Sequence, residues 1–398
     1  MDTIWKAELK EELEQLQKLS QKRKLTEVEA AEQPWLTINH RNLLNLSSNN
    51  YLGLAGDIRL KEAMIHAVRE IGTGAAASRL IVGNYPLYEQ TESALAKWKG
   101  AEAGLIFSSG YSANIGMISS IIGRDGIVFS DKLNHASIVD GVILSRSEHK
   151  RYRHNDFNHL ETLLKQAPFH KRKLIVTDTV FSMDGDLAKL QDLVTLKERY
   201  HAILMVDEAH SSGIFGEHGE GLVHHMKLQD KVEIQMGTFS KALGCFGAYA
   251  VGDRWLMEYF TNKMRSFIYT TALPPAILGA IYAAIRIVPN EHQRRRTLFE
   301  HSEYFRNSLL QLGFNICGSE TQIIPILIGP NDQTTEFSQR LLEEGIAGIP
   351  IRPPTVPMNQ ARIRFSLMAT HKREDLDFAI EKISLVGKQI GMIGGHTW

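Results

Sequence analysis

Cysteine is almost missing from this 398-residue chain: Cys245 and Cys317 are the only two. Two thiols cannot hold a disulfide scaffold together, and they are not spaced as a metal-binding pair. A reducing compartment, the cytoplasm, is the expectation. Long apolar runs are missing as well. No stretch approaches the roughly 18 residues that a membrane span needs. The amino terminus MDTIWKAELKEELEQLQKLSQKRK is charged throughout, where a secretory leader would have an apolar centre. Charge of one sign is absent too. Lys+Arg 45 balance Asp+Glu 45 to a formal net charge of +0, so no overall field recruits nucleic acid or anionic lipid. The basic run His149–His154 therefore reads as a solvated surface element. DEAH (207–210) invites a helicase reading, but the P-loop pattern, GxxxxGK followed by Ser or Thr, does not occur. Neither His149 with His154 nor His224 with His225 gathers a ligand set, so no metal is expected.

What is present describes an ordinary globular protein of more than one domain, 43% apolar and 23% charged. Trp5, Leu9, Leu13, Leu16 and Leu19 recur at spacings of four and three, the stripe of an amphipathic helix that lies across a larger body or a partner subunit. GIVFS (126–130), KLIVTDT (173–179), AILMVDE (202–208), VEIQMGT (232–238) and FGAYAVG (246–252) read as buried strands separated by helical patterns. That alternation predicts an α/β fold with a mostly parallel sheet, whose ligands collect beyond the carboxyl ends of the strands. After LPPA (273–276) a helix runs towards residue 288, and beyond about residue 300 the rhythm changes. IIPILIG, IAGIPIRPP and ARIRFSLMA are strands between helix-like runs, ending in a helix from about 373 to 388. The expected organisation is an amino-terminal helix and short strand in 1–50, a large domain in 51–290 and a smaller α+β domain in 291–398.

Several polar residues stand at the ends of these strands. Lys241 sits in FSKALGCFG beside small residues; its stem could cover apolar surface, or its shielded amine could form a Schiff base. Asp207 ends AILMVD and needs a cation or a cofactor to balance it. It could equally cap the next segment. His210 follows three residues later, Ser182 lies in a turn after KLIVTDT, and His135 stands at a helix start. SSGYSAN (108–114) brings Gly110 and Tyr111 to the beginning of another helix, where exposed N–H groups suit an anion. Singly, each has a plain structural reading. Jointly they describe what carbanion chemistry on an amino acid requires: an electron sink such as pyridoxal phosphate, a lysine to hold it, an acid for the ring nitrogen and a phosphate cradle.

The linked strings LSSNNYLGL, SSGYSANIG, NHASIVDG, HND (154–156), VFSMDGD, VDEAHSSGIFGEHGEG, TFSKALG and IRPPTVP, spread from about Arg23 to His371, resemble the α-oxoamine synthase family of pyridoxal-phosphate enzymes. The resemblance implies fold type I, with a seven-stranded sheet in the large domain, and a homodimer whose active site is shared. It implies that Lys241 holds the cofactor covalently and moves the α-proton, and that Asp207 pairs with the pyridine nitrogen. It further implies that His210 donates towards the ring hydroxyl, that His135 stacks on the ring and that Ser182 lies near the ring oxygen. Thr238 would contact the phosphate, with Gly110 and Tyr111 covering that end. Arg352 would bind the amino-acid carboxylate, Thr355 lies in the substrate loop, and Arg23 would meet the acyl substrate. The implied reaction is a decarboxylating condensation of an amino acid with an acyl thioester carried by coenzyme A or a carrier protein. IRPPTVP points to L-alanine and a pimeloyl group; a glycine-using branch of the family is the alternative. One departure is the loop GTGAAASRLIVGN (72–84), where alanines stand in place of glycine and serine.

Overall fold

The computed structural model describes residues 4–29 and 34–393. The chain divides into two compact units. The smaller unit is assembled from residues 1–49, 183–186 and 297–398, and the larger from 50–182 and 187–296. The chain thus leaves the large unit after Ser182, spends four residues in the small one, and returns at Leu187.

The small unit begins with the helix Ile4–Lys18, none of whose residues is buried. Its apolar stripe forms at the expected spacing but faces solvent, with Trp5 74% exposed. A hairpin follows, β1 (Trp35–Ile38) and β2 (Arg41–Asn45).

The large unit is built on seven strands: β3 (Ala103–Phe107), β4 (Gly126–Asp131), β5 (Glu148–Tyr152), β6 (Arg172–Asp178), β7 (Ile203–Asp207), β8 (Ile234–Thr238) and β9 (Ala248–Gly252). Their order across the sheet is β3-β9-β8-β7-β6-β4-β5. β5 to β8 and β4 pair in parallel, whereas β9 runs antiparallel to both β8 and β3. The central runs are apolar on both faces because helices cover both, as a parallel sheet requires. Met117 and Ile118 of the helix Gly110–Ile121 pack with Val128, Val176, Met205 and Ile234 in one buried cluster. The basic run is not a free surface loop: Glu148–Tyr152 forms the sheet's edge strand, with Tyr152 buried at its end. Charged side chains suit an edge, since they discourage pairing with another chain.

The carboxyl-terminal part of the small unit contains β10 (Ile323–Gly329), β11 (Ile346–Ala347), β12 (Pro350–Ile351) and β13 (Ala361–Ser366). β10, β13 and β12 form an antiparallel sheet, while β11 joins the amino-terminal hairpin by pairing in parallel with β2. The helix Arg373–Gln389 closes the unit, one residue beyond its expected end.

Candidate active site

Strand sense gathers the polar residues of the large unit. β4, β6, β7 and β8 run one way; β3 shares their sense because both it and β8 oppose β9. All five carboxyl ends therefore lie at one edge of the sheet, and the link from β8 into β9, which carries Lys241, lies there too. That link is locked as a tight turn. Phe239 N–H donates to the Gly247 carbonyl at 3.0 Å, Cys245 N–H to Phe239 at 2.8 Å, and Gly244 N–H to Lys241 at 2.9 Å.

Asp207 is the last residue of β7 and is buried. Its Oδ2 accepts from Asn114 Nδ2 at 2.8 Å and its Oδ1 from the Ala209 N–H at 2.8 Å, which fixes the plane of the carboxylate. Asn114 stands on the helix Gly110–Ile121 and also donates to Ser137 Oγ at 2.9 Å. On the neighbouring strand, in register with Asp207, lies the buried Asp178. Burial, and then the charge of Asp207, hold the Asp178 carboxyl well above the usual carboxylate range. Asp178 Oδ2 accepts from the backbone N–H of His135 at 2.7 Å.

His135 caps the helix Ala136–Ser145: its Nδ1 accepts the Ser137 N–H at 3.2 Å. A neutral His135 therefore carries its proton on Nε2. His135 is exposed at the surface, yet the desolvation of its imidazole by surrounding protein holds it below its ordinary 6.5. Asp207 opposes that displacement and Lys241 reinforces it, which places both charges within electrostatic reach of the ring. His210 is buried, with Nδ1 2.7 Å from the phenol of Tyr51. Ser182 is half-buried in the turn that follows β6.

A cradle lies where β8 meets the helix Gly110–Ile121. Thr238 ends β8, and its Oγ1 is buried with no partner among the described residues. A Cβ at Gly110 would come within 2.7 Å of Thr238 Cγ2, so only glycine allows this approach. Ser109 caps the helix through the Ser112 N–H at 3.1 Å, leaving the amides of Gly110 and Tyr111 as the helix's open donors. An unsatisfied buried hydroxyl beside open helix amides suits a phosphoryl group. With Asp207 available to a protonated ring nitrogen and Lys241 on the adjoining turn, the residues present fit pyridoxal phosphate.

The chain matches the family described as Aminotransferase class I and II over residues 41–383. It belongs to that family, as an α-oxoamine synthase. A protein of Bacillus cereus (strain Q1), provisionally named 8-amino-7-oxononanoate synthase, is 58% identical over 389 residues, covering 98% of this chain and 99% of the relative. Among solved structures, serine palmitoyltransferase from S. paucimobilis with a bound PLP–myriocin aldimine is similar at TM-score 0.94 and 28% identity, over 99% of this chain and 100% of that one. The 8-amino-7-oxononanoate synthase of Francisella tularensis is similar at TM-score 0.77 and 27% identity, over 87% and 98%.

The synthase keeps its other expected residues in the small unit. Arg352 is half-buried; its Nη1 donates to the Ser20 carbonyl and lies 3.4 Å from Thr335 Oγ1. Burial, and then the nearby charge of Arg23, lower its pKa. Arg23 and Thr355 are exposed, and the Thr355 N–H donates to the Arg352 carbonyl at 3.1 Å. Two guanidiniums that repel each other are relieved by an anion. Sequence reasoning passed over Asn114, Tyr51 and Asp178, and also Arg364, which is buried on β13 with Nη2 3.0 Å from Asn49 Oδ1. The signal for Arg364 was ARIRFS, in which arginines alternate with core residues along a strand. Glu208 of DEAH serves structure: it pairs with the fully buried Lys99. Burial pushes the Cys245 thiol up to about 12, which removes it as a nucleophile. Among the described residues no His, Cys, Asp and Glu gather as a metal site, and no helix is long and apolar enough to cross a membrane.

Proposed function

We propose that the protein is an 8-amino-7-oxononanoate synthase of biotin formation, condensing L-alanine with a pimeloyl thioester and releasing carbon dioxide. The observation that carries this reading is the 58% identity, over 98% of the chain, to a relative bearing that name. Pyridoxal phosphate, when bound, supplies an electron sink for the carbanion at the amino acid's α-carbon. Lys241 would hold it, and the Lys241 amine would take and return the α-proton of the amino acid at Nζ. Asp207 keeps the ring nitrogen protonated, and its fixed carboxylate is already oriented for that charge. His210, held at Nδ1 by Tyr51, would donate towards the ring oxygen with Ser182, and His135 would stack on the ring. Thr238 and the amides of Gly110 and Tyr111 take the phosphate.

Arg352 holds the alanine carboxylate, Thr355 lines the same loop and Arg23 meets the acyl group. The burial of Arg364 and its amide partner favour a second assignment, in which Arg364 is the carboxylate ligand. The working protein is a cytoplasmic homodimer with shared active sites, residues 51–290 holding the cofactor and 291–398 with 1–50 serving the substrates. The solvent-facing stripe of the amino-terminal helix supports a second copy.

The test is a matrix of alanine, glycine and serine against pimeloyl-, acetyl-, succinyl- and palmitoyl-CoA, following thiol release. Preference for alanine with pimeloyl-CoA is expected; preference for glycine with acetyl-CoA would move the protein to the glycine-using branch. Borohydride reduction and peptide mapping should label Lys241. Titrating alanine into Arg352→Lys and Arg364→Lys, while following the cofactor spectrum, decides between the two arginines, because lysine cannot reproduce a bidentate fork.

A further inference from the structure

The loop that bears Ser182 has its base in one unit and its tip in the other. At the base, an isolated antiparallel bridge joins Val180 to Leu187, and the Ala188 N–H donates to the Thr179 carbonyl at 3.0 Å. The tip, 183–186, is counted with the small unit. Contacts from Arg362, Glu320 and Thr321 hold it there. Arg362 of β13 pairs with the Asp184 carboxylate through Nη1, which also lies 3.4 Å from the Met183 carbonyl. The Gly185 carbonyl accepts from the Glu320 N–H at 3.0 Å and from Thr321 Oγ1 at 2.9 Å. Gly185 itself has φ +74, and a Cβ there would collide with the Ile323 carbonyl, so only glycine lets the tip approach β10 this closely.

The ion pair is the directional part of this grip. Arg362 is 3% exposed and Asp184 18%. A guanidinium that deep is costly without an anion, and the anion it finds is on the loop tip. Arg362 also stands two residues from Arg364 on the same face of β13. Left without its tip contacts, a short polar loop would sample many backbone states and Ser182 with it.

We infer that Arg362 is a positioning residue: through Asp184 and the Gly185 turn it fixes the loop that presents Ser182 to the cofactor. This rests on the proposed role of Ser182 at the cofactor ring. Arg362 acts on Ser182 only through the loop's own backbone, by way of Asp184 and Gly185.

The experiment compares parent protein, Arg362→Met, Arg362→Lys and Asp184→Asn. Hydrogen–deuterium exchange is read in peptides spanning 180–187 of the cofactor-free protein, and pyridoxal phosphate affinity is read by equilibrium dialysis. Exchange at 180–187 should be about tenfold faster in Arg362→Met, and cofactor binding about five- to tenfold weaker, with melting temperature shifted by only a few degrees. Arg362→Lys should recover most of both, and Asp184→Asn combined with Arg362→Met should add little to either alone. Unchanged exchange in a folded Arg362→Met, or a loosened loop with unaltered cofactor affinity, overturns the inference. If Arg362→Met does not fold, Asp184→Asn carries the same comparison. If the parent itself takes up no pyridoxal phosphate, the cofactor reading fails and Ser182's role with it, while exchange still judges the tether.

Discussion

Asp207 shows how a single side chain can be prepared before any ligand arrives. Its two oxygens are each engaged, by Asn114 and by the Ala209 N–H, so the charge is oriented by the fold rather than by the molecule it meets. Asp207→Asn removes that charge while nearly keeping the shape. Turnover should fall about 100-fold or more, a loss of roughly 3 kcal/mol of transition-state stabilisation, with folding and cofactor uptake preserved. Thiol-release kinetics beside circular dichroism check this. His371 is prepared in the opposite sense, as a neutral group. Its Nδ1 accepts the Met368 N–H at 3.0 Å and its Nε2 donates to the Asn45 carbonyl at 3.0 Å. Burial pushes its pKa down to about 4 from 6.5. The unfolded chain therefore takes up a proton near pH 6.5 that the folded one refuses until about pH 4. This residue's contribution is full above 6.5 and is lost as pH falls through that window, amounting to about 3 kcal/mol. Urea unfolding at several pH values should show His371→Gln losing stability more shallowly than the parent between pH 6.5 and 4, by about one proton's worth of slope.

Between elements, a fully buried polar joint is the ion pair of Lys99, at the end of the helix Pro86–Lys99, with Glu208 just past β7. Burial pulls the Lys99 amine down, but Glu208 and Tyr249 outweigh it and hold the pKa above its ordinary value. Glu208 also accepts the Val223 N–H at 2.9 Å, so one carboxylate joins a helix, a strand end and a short helix. Lys99→Met leaves that charge uncompensated and should cost about 3 to 5 kcal/mol in chemical denaturation; adding Glu208→Gln should restore a large part. β7 was legible in the sequence because a continuous apolar run ends in Asp207, so the strand's length and functional end are marked together; in β6 the apolar run marked the strand, but Asp178 at its end passed unnoticed. β5 was not legible, since an edge strand buries little and its composition looks like surface. Asn114 escaped for the reverse reason: an amide within a helix of small residues looks neutral until tertiary packing aims it at Asp207. Thr238 could be placed only through resemblance, because nothing in VEIQMGT says that its hydroxyl lacks a partner. The exposed amino-terminal stripe shows a related limit: periodicity identified the helix but not what covers it.

At the scale of the whole molecule, that stripe yields the test of assembly. Trp5 and Leu9 are 74% and 54% exposed along a helix with no buried residue. If a second copy covers them, Trp5→Glu with Leu9→Glu should shift sedimentation towards monomer or raise the dimer dissociation constant at least tenfold, with little change in secondary structure. An unchanged dissociation constant would remove the helix from the dimer contact. The interleaving of the units also sets a schedule. The large sheet has all its strands once residue 252 has been made, and Leu256, Met257, Phe260, Met264 and Phe267 complete the core packed on it soon after. β2, by contrast, waits for β11, in which Leu44 pairs with Ile346 across some three hundred residues. A nascent chain on the ribosome can therefore finish its catalytic scaffold while its amino-terminal segment still lacks β11, and pauses in translation after residue 297 would prolong that interval.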